Sequence, residues 1–461
     1  MTQEKPVILI YNPISGHGHL DSWNAMFVKL LIETGWRVLS LTPDAAALLS
    51  RLPSKGAEFN DQLQILDWSS NQPDGRDTIE LLKRKARYLG DRYLYRRPGS
   101  EVTPEMPFLR ALKKRALQGT VPLLIHLSYS VYRILGGQKS FESLWPDNQQ
   151  ELHLMCPVET ALRIKRALKR AKWKPLITFN MYLDGYQTGK EKWEAFDSTN
   201  RIPWSGIRFV PRSSPNEAWY SLPSCKGVCF LEESVVESYQ TALPTKHFQY
   251  LPDITEVSVP QSQSEMVREI KRRARNRKIV FLGGSIGGQK NLARWFELIS
   301  SANAEDWFFV QVGEVHKDTL TEEDLVWFEK VRTSPPENLL LHTQYLADEK
   351  AFNEVIAACD VIFAVYRNFP YSSNMPGKAA HFQKPILVSN RYLMGERVLK
   401  YRIGLAVDEN DSSQILSALL SLKDNPISIE SFKSYCEDFT HLRLSENLNR
   451  FLNLCTTGGV K

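Results

Sequence analysis

Short apolar runs alternate with helical stretches twice along this chain, and that double alternation leaves few folds open to it. The first array begins with the apolar run Val7–Tyr11. A loop, NPISGHGHL at 12–20, leads into a stretch where Trp23, Met26, Phe27, Leu30 and Leu31 recur at helical spacing. Ser22 is its expected cap and Gly35 its expected stop. Residues 36–41 read as a second strand, Thr42-Pro43-Asp44 as the start of a helix, and 63–68 as a third strand. The second array has strands at 278–282, Trp307–Val312, Leu339–His342, 361–366, 385–389 and Gly404–Val407, with helices between them. Short apolar strands separated by helices belong to parallel sheets covered on both faces.

At 461 residues the chain exceeds one ordinary domain. The expected division is a first α/β domain over 1–255, a linker over 256–277, a second α/β domain over 278–425 and terminal helices over 426–461. The linker is marked by a Pro- and Ser-rich stretch at 252–263, followed by a charged helix.

Residues 77–135 break the rhythm of the first array. Ile79, Leu82, Ala86, Leu89 and Tyr93 mark one amphipathic helix, and Phe108, Leu112 and Ala116 a second. Their polar faces carry a dense set of Lys and Arg, from Lys83 to Arg115. A helix at about 157–173 is also basic. Such faces are solvated, or they meet an anionic membrane surface. Nucleic acid is disfavoured, because no nucleic-acid motif accompanies the charge. The most apolar run of this half, 121–135, carries His126 and Arg133 and is too short to span a bilayer. The N-terminus enters a strand without a secretory signal, so a cytoplasmic protein, peripheral on a membrane at most, is expected. Six scattered cysteines lack zinc-site spacing, which predicts reduced thiols and no metal.

Three stretches carry candidate chemistry. The loop Gly283-Gly284-Ser285-Ile286-Gly287-Gly288, followed by Gln289-Lys290-Asn291, joins a strand to a helix. Its glycines permit close backbone approach to a phosphate, and Lys290 adds a point charge. It fits neither a Walker motif nor a dinucleotide fingerprint. The stretch 361–390 reads strand, polar loop, helix, strand. Ser372, Ser373 and Asn374 precede Pro376 at a helix start, and Lys378 follows. In the first loop, Gly16, His17, Gly18 and His19 lie between strand and helix, where an imidazole suits acid–base work. Asp184 is a candidate partner for such a base, and an ordinary loop Asp otherwise.

The second half resembles the family-four glycosyltransferases. KIVFLGGSIGGQKNL (278–292) is similar to their glycine loop, KAAHFQKPILVSN (378–390) to their EAMA-x-G-x-PVI stretch, and the segment 401–422 to their closing strand and helix. SGHGHLDSWNAMFVKLL (15–31) resembles the GHL loop of family-one, plant-type inverting enzymes. The resemblance implies a GT-B fold, two Rossmann-like domains facing across a cleft with C-terminal helices. It implies transfer of a sugar from a nucleoside-diphosphate sugar to an acceptor without a metal or other cofactor. The donor then lies against Gly283, Gly284, Ser285, Lys290, Asn291, Tyr345, Ser372, Ser373, Asn374 and Lys378, and His19 is the base. The chain departs from family four in one respect: its E-x7-E carboxylates are Pro370 and Lys378 here. The alternatives are a GT-B sugar-nucleotide epimerase and a non-catalytic protein that binds a nucleotide sugar or serves as a partner at a membrane surface.

Overall fold

The computed structural model describes residues 5–15, 20–59, 61–68, 155–186, 189–211, 214–346 and 348–457. The basic helices expected within 77–135 and the four residues Gly16, His17, Gly18 and His19 lie outside the described residues.

Seven strands, β1 (Val7–Tyr11), β2 (Arg37–Thr42), β3 (Leu63–Asp67), β4 (Ile177–Asn180), β5 (Trp204–Arg208), β6 (Gly227–Phe230) and β7 (His247–Tyr250), form a parallel sheet in the order β3-β2-β1-β4-β5-β6-β7. Six more, β8 (Lys278–Gly283), β9 (Trp307–Val312), β10 (Leu339–His342), β11 (Val361–Ala364), β12 (Ile386–Ser389) and β13 (Gly404–Val407), form a second in the order β10-β9-β8-β11-β12-β13. Every pairing in both is parallel. Strand order reverses between β1 and β4, and again between β8 and β11. At such a point the loops leaving the carboxyl ends part, and a ligand crevice opens between them.

The helices follow from caps and apolar stripes. Asp44 accepts from the Ala47 amide at 2.8 Å and starts Ala45–Arg51. Ser264 caps Glu265–Ala274, whose Val267, Ile270 and Ala274 are buried. Thr321 caps Glu322–Thr333, with Glu322, Glu323 and Asp324 in its first turn. Ser22, expected as a cap, lies inside the helix Leu20–Glu33, and its hydroxyl accepts from Arg51 at 2.8 Å.

The last helix, His441–Thr456, crosses back to the first half. Leu444, Leu448, Phe451, Leu452 and Cys455 form one buried stripe, packed with Trp23, Phe27, Trp36 and Phe179. Trp36 Nε1 donates to Asn449 Oδ1 at 3.1 Å, and Asn447 Nδ2 donates to the Tyr250 carbonyl at 3.0 Å. A second seam runs along the segment after β7. Asn353 Nδ2 donates to the carbonyls of Glu256 and Ser258, at 3.2 and 2.9 Å. Gly377 is needed there, since a Cβ on it would stand 2.3 Å from Thr255 Oγ1.

Candidate functional site

The loops leaving β8 and β11 meet at the second reversal point. Gly284 has φ +96°, a conformation that favours glycine, and a Cβ there would meet only the Lys290 ammonium, at 3.8 Å. That ammonium donates to Tyr366 Oη at 2.6 Å and lies 3.9 Å from the Tyr366 ring centroid. Lys290 thus bridges the glycine loop and the end of β11, half-buried. Ser285, at the loop tip, is exposed.

The other glycines of the loop serve packing. A Cβ on Gly287 would stand 2.8 Å from Thr319 Oγ1, and one on Gly288 2.4 Å from the Thr319 carbonyl. The amides of Gly284 and Ile286 are also occupied, donating to the Val312 and Glu314 carbonyls at 3.0 and 2.9 Å.

The start of the helix Leu292–Ser301 is held by the protein's own carboxylate. Asp324 Oδ1 accepts from the Ala293 amide at 2.8 Å, and Asp324 is fully buried. Arg367 clamps Asp324 with both terminal nitrogens, at 2.7 and 3.2 Å, and donates to Asn291 Oδ1 at 2.8 Å. Asn291 Nδ2 donates to the Glu409 carbonyl at 2.7 Å, and Glu409 Oε1 accepts from the Asn368 amide at 2.9 Å. Burial would raise the Asp324 carboxyl, but Arg367, the Ala293 amide and the Thr321 hydroxyl outweigh it and hold it below the ordinary carboxylate range. Asn291, read from sequence as a donor contact, is 1% exposed and is a strut between three loops.

The polar loop after β11 is tied to the seam between the two halves. Ser372 Oγ donates to Asp253 and accepts from Arg397 at 2.9 Å. Arg397 also donates to the Leu231 carbonyl at 2.6 Å. Beside Arg397, two adjoining cavities of about 280 and 290 Å³ share Glu233, Tyr250 and Tyr401. Ser373 Oγ accepts from the Met375 amide at 3.3 Å, and Asn374 precedes the helix Met375–His381 with Pro376 in its first turn. Tyr345, just past β10, is exposed.

Lys378 departs from the place the sequence suggested for it. Its side chain is fully buried, donating to Glu349 at 2.5 Å, to Asn353 and to the Glu256 carbonyl. Burial pulls its ammonium below the usual lysine range, and Glu349 opposes that shift. Lys378 therefore fastens the helix Glu349–Ala358 to the linker, and no nitrogen is left to meet a phosphate.

In the first half, Asn12, just past β1, and Asn24, in the helix that follows, are wholly buried, and neither side-chain amide has a hydrogen-bond partner among the described residues. Asp21 is buried too and accepts from Ser15 Oγ at 3.1 Å. Asp184 is engaged by the Phe209 and Val210 amides, at 2.7 and 2.9 Å, as an ordinary loop fastener. Sequence reading missed Asp324, Arg367, Arg397 and Glu409. Each acts in part through a partner more than 40 residues away: Asp324 and Arg367 through each other, Glu409 through Asn368 and Arg397 through the Leu231 carbonyl.

No protein-family model matches the chain, and no curated protein matches it by sequence. Solved structures do. A glycosyltransferase from Rickettsia africae superposes with TM-score 0.58 at 11% identity, covering 98% of this chain and 99% of its own. Sucrose-phosphate synthase from Thermosynechococcus elongatus gives 0.55 at 11%, over 99% and 100%. HepE from Anabaena, solved with UDP and glucose, gives 0.53 at 10%, over 97% and 99%. At such identities the likeness speaks for the fold, and the fold is GT-B: two Rossmann-like domains with parallel sheets and a closing helix that returns to the first.

Proposed function

We propose that this protein is a glycosyltransferase that moves a sugar from a nucleoside-diphosphate sugar to an acceptor, without a metal ion or other cofactor. The observation that carries the reading is the Lys290 ammonium, held above Gly284 and against Tyr366 where two strand-end loops meet. In such a reaction negative charge grows on the leaving diphosphate. A fixed ammonium stabilises that charge without reorganising. In this reading Ser285, Ser373 and Asn374 complete the donor side, and Tyr345 flanks the base. The acceptor enters from the first half, with His19 as its base, and that assignment predicts inversion at the sugar carbon. The basic stretch 77–135 would bring the enzyme to an anionic membrane surface. No helix among the described residues is long and apolar enough to cross a membrane.

One observation favours the non-catalytic alternative: position 370 is proline, and Lys378 is a buried fastener, so neither supplies a carboxylate. Mass-resolved turnover of a nucleotide-sugar panel, with and without candidate acceptors, separates the readings. The expected outcome is free nucleoside diphosphate that appears only with acceptor. An isomerised sugar nucleotide means an epimerase, and bound but unchanged nucleotide sugar means a binding protein. UDP-glucose is the first donor to test, since HepE was solved with UDP and glucose. Flotation with anionic liposomes at low salt tests the membrane reading, which fails if the protein stays in the pellet.

A further inference from the structure

The loop after β11 carries an aromatic ladder of which the donor-phosphate reading uses only the first ring. Tyr366, Phe369 and Tyr371 contact one another in sequence, edge to face, with ring centroids 5.2 Å apart in the first step and 5.4 Å in the second. The ladder starts at the ring that holds Lys290 and ends at a tyrosine that is 45% exposed. Edge-to-face contacts fix the orientation of each ring through the one below it. Tyr371 is thus an exposed aromatic side chain on a braced support, one residue before Ser372.

The geometry points to Tyr371 as the residue that recognises the transferred sugar, by stacking its ring against the sugar's C–H face. The inference rests on the glycosyltransferase reading and names how its donor site tells a sugar from bare diphosphate. Few polar alternatives remain in this loop. Pro370 has no polar side chain, the Ser372 hydroxyl is taken by Asp253 and Arg397, and the Lys378 ammonium is taken by Glu349 and Asn353. Ser373 faces its own helix start. A ring linked to Lys290 through Phe369 and Tyr366, in a loop with no carboxylate from Tyr366 to Lys378, suits a pyranose that presents adjacent C–H groups. Hydrocarbon contact with an aromatic face does not require a charged partner.

Calorimetric titration of the full chain with matched pairs tests this: UDP and UDP-glucose, GDP and GDP-mannose, ADP and ADP-glucose. In the wild type, one sugar conjugate should bind more tightly than its parent diphosphate. Tyr371→Ala should weaken that conjugate by about tenfold and leave the parent diphosphate unchanged. Tyr371→Phe should keep the difference between the pair. If Tyr371→Ala weakens both members of a pair equally, the ring serves the base or the phosphates and the inference falls. If it weakens neither, the inference also falls. In both cases the glycosyltransferase reading stands. If the wild type binds no member of any pair, that reading fails and takes the inference with it.

Discussion

At the carboxyl edge of the second sheet, the charged side chains meet one another. Asp324 sits between Arg367 and the Ala293 amide, and Asn291 ties Arg367 to the Glu409 strand end. In the first half, Asn12 and Asn24 are equally buried, yet neither amide has a partner among the described residues. The two sheets share a topology and a reversal point, so the contrast comes from side chains and not from architecture. Burying an unpartnered amide costs roughly 1–3 kcal/mol, and a linked network avoids that cost. The second edge is preorganised, as a site for a fixed diphosphate should be. Among the described residues, the first half leaves the Asn12 and Asn24 side chains outside any such network.

Several measurements would break this contrast or sharpen it. The largest effect is expected from Asp324→Ala, which strips the helix start of its acceptor and leaves Arg367 half-buried without its carboxylate. It should lower the unfolding free energy by about 3–5 kcal/mol in urea titration. A loss under about 1 kcal/mol, the range of an exposed pair, would show that the network does not fix this edge. Next is Lys290→Ala. If the ammonium stabilises the leaving group, the transfer rate should drop about 10²–10³-fold at little cost in stability. A variant that loses stability and activity together would make Lys290 another strut.

A pH series comes third. The Asp324 carboxyl titrates lower in the folded protein than its unfolded value of about 3.9. Its contribution is therefore complete above that unfolded value and is lost as pH falls through the folded one. Asp324→Asn should flatten the acid limb of a stability–pH curve, and an unchanged limb would assign the acid sensitivity elsewhere. The smallest effect is expected at Asn24. Replacing an unpartnered buried amide by Leu removes a desolvation cost, so Asn24→Leu should leave stability unchanged or raise it by about 1 kcal/mol. A marked loss would mean that the first edge is satisfied after all.

Much of the fold was legible because its signals are local. Most strands appear in sequence as apolar runs, unlike β5 and β7, whose WSGIR and HFQY the sequence reading did not name as strands, and Pro376, Asp44 and Gly35 mark helix ends by rules that act within a few residues. Contacts that decide function are not local. Lys378 looks like a phosphate contact until Glu349 and Asn353, 29 and 25 residues earlier, close around it. Gly287 and Gly288 look like phosphate glycines, and only their fit against Thr319 shows that the loop itself needs them. Asn291 has the residue type of a ligand contact and the burial of a strut. Lys290 was legible because its role follows from its place on the loop, with only Tyr366 added from afar.

The returning helix has a consequence for how the molecule comes into being. Trp36 and Asn449, which share a hydrogen bond, are 413 residues apart, and five side chains from His441–Thr456 fill the core around Trp36. On the ribosome, the first half is synthesised long before that stripe exists. The second half, whose main core draws on residues between Val267 and Tyr435, can be complete first. Until the last helix arrives, the core that holds Trp23, Phe27 and Phe179 lacks the five side chains that complete it. Translation order and folding order are therefore reversed across this chain, and a nascent chain halted before Leu444 should remain protease-sensitive in its first half while its second half resists.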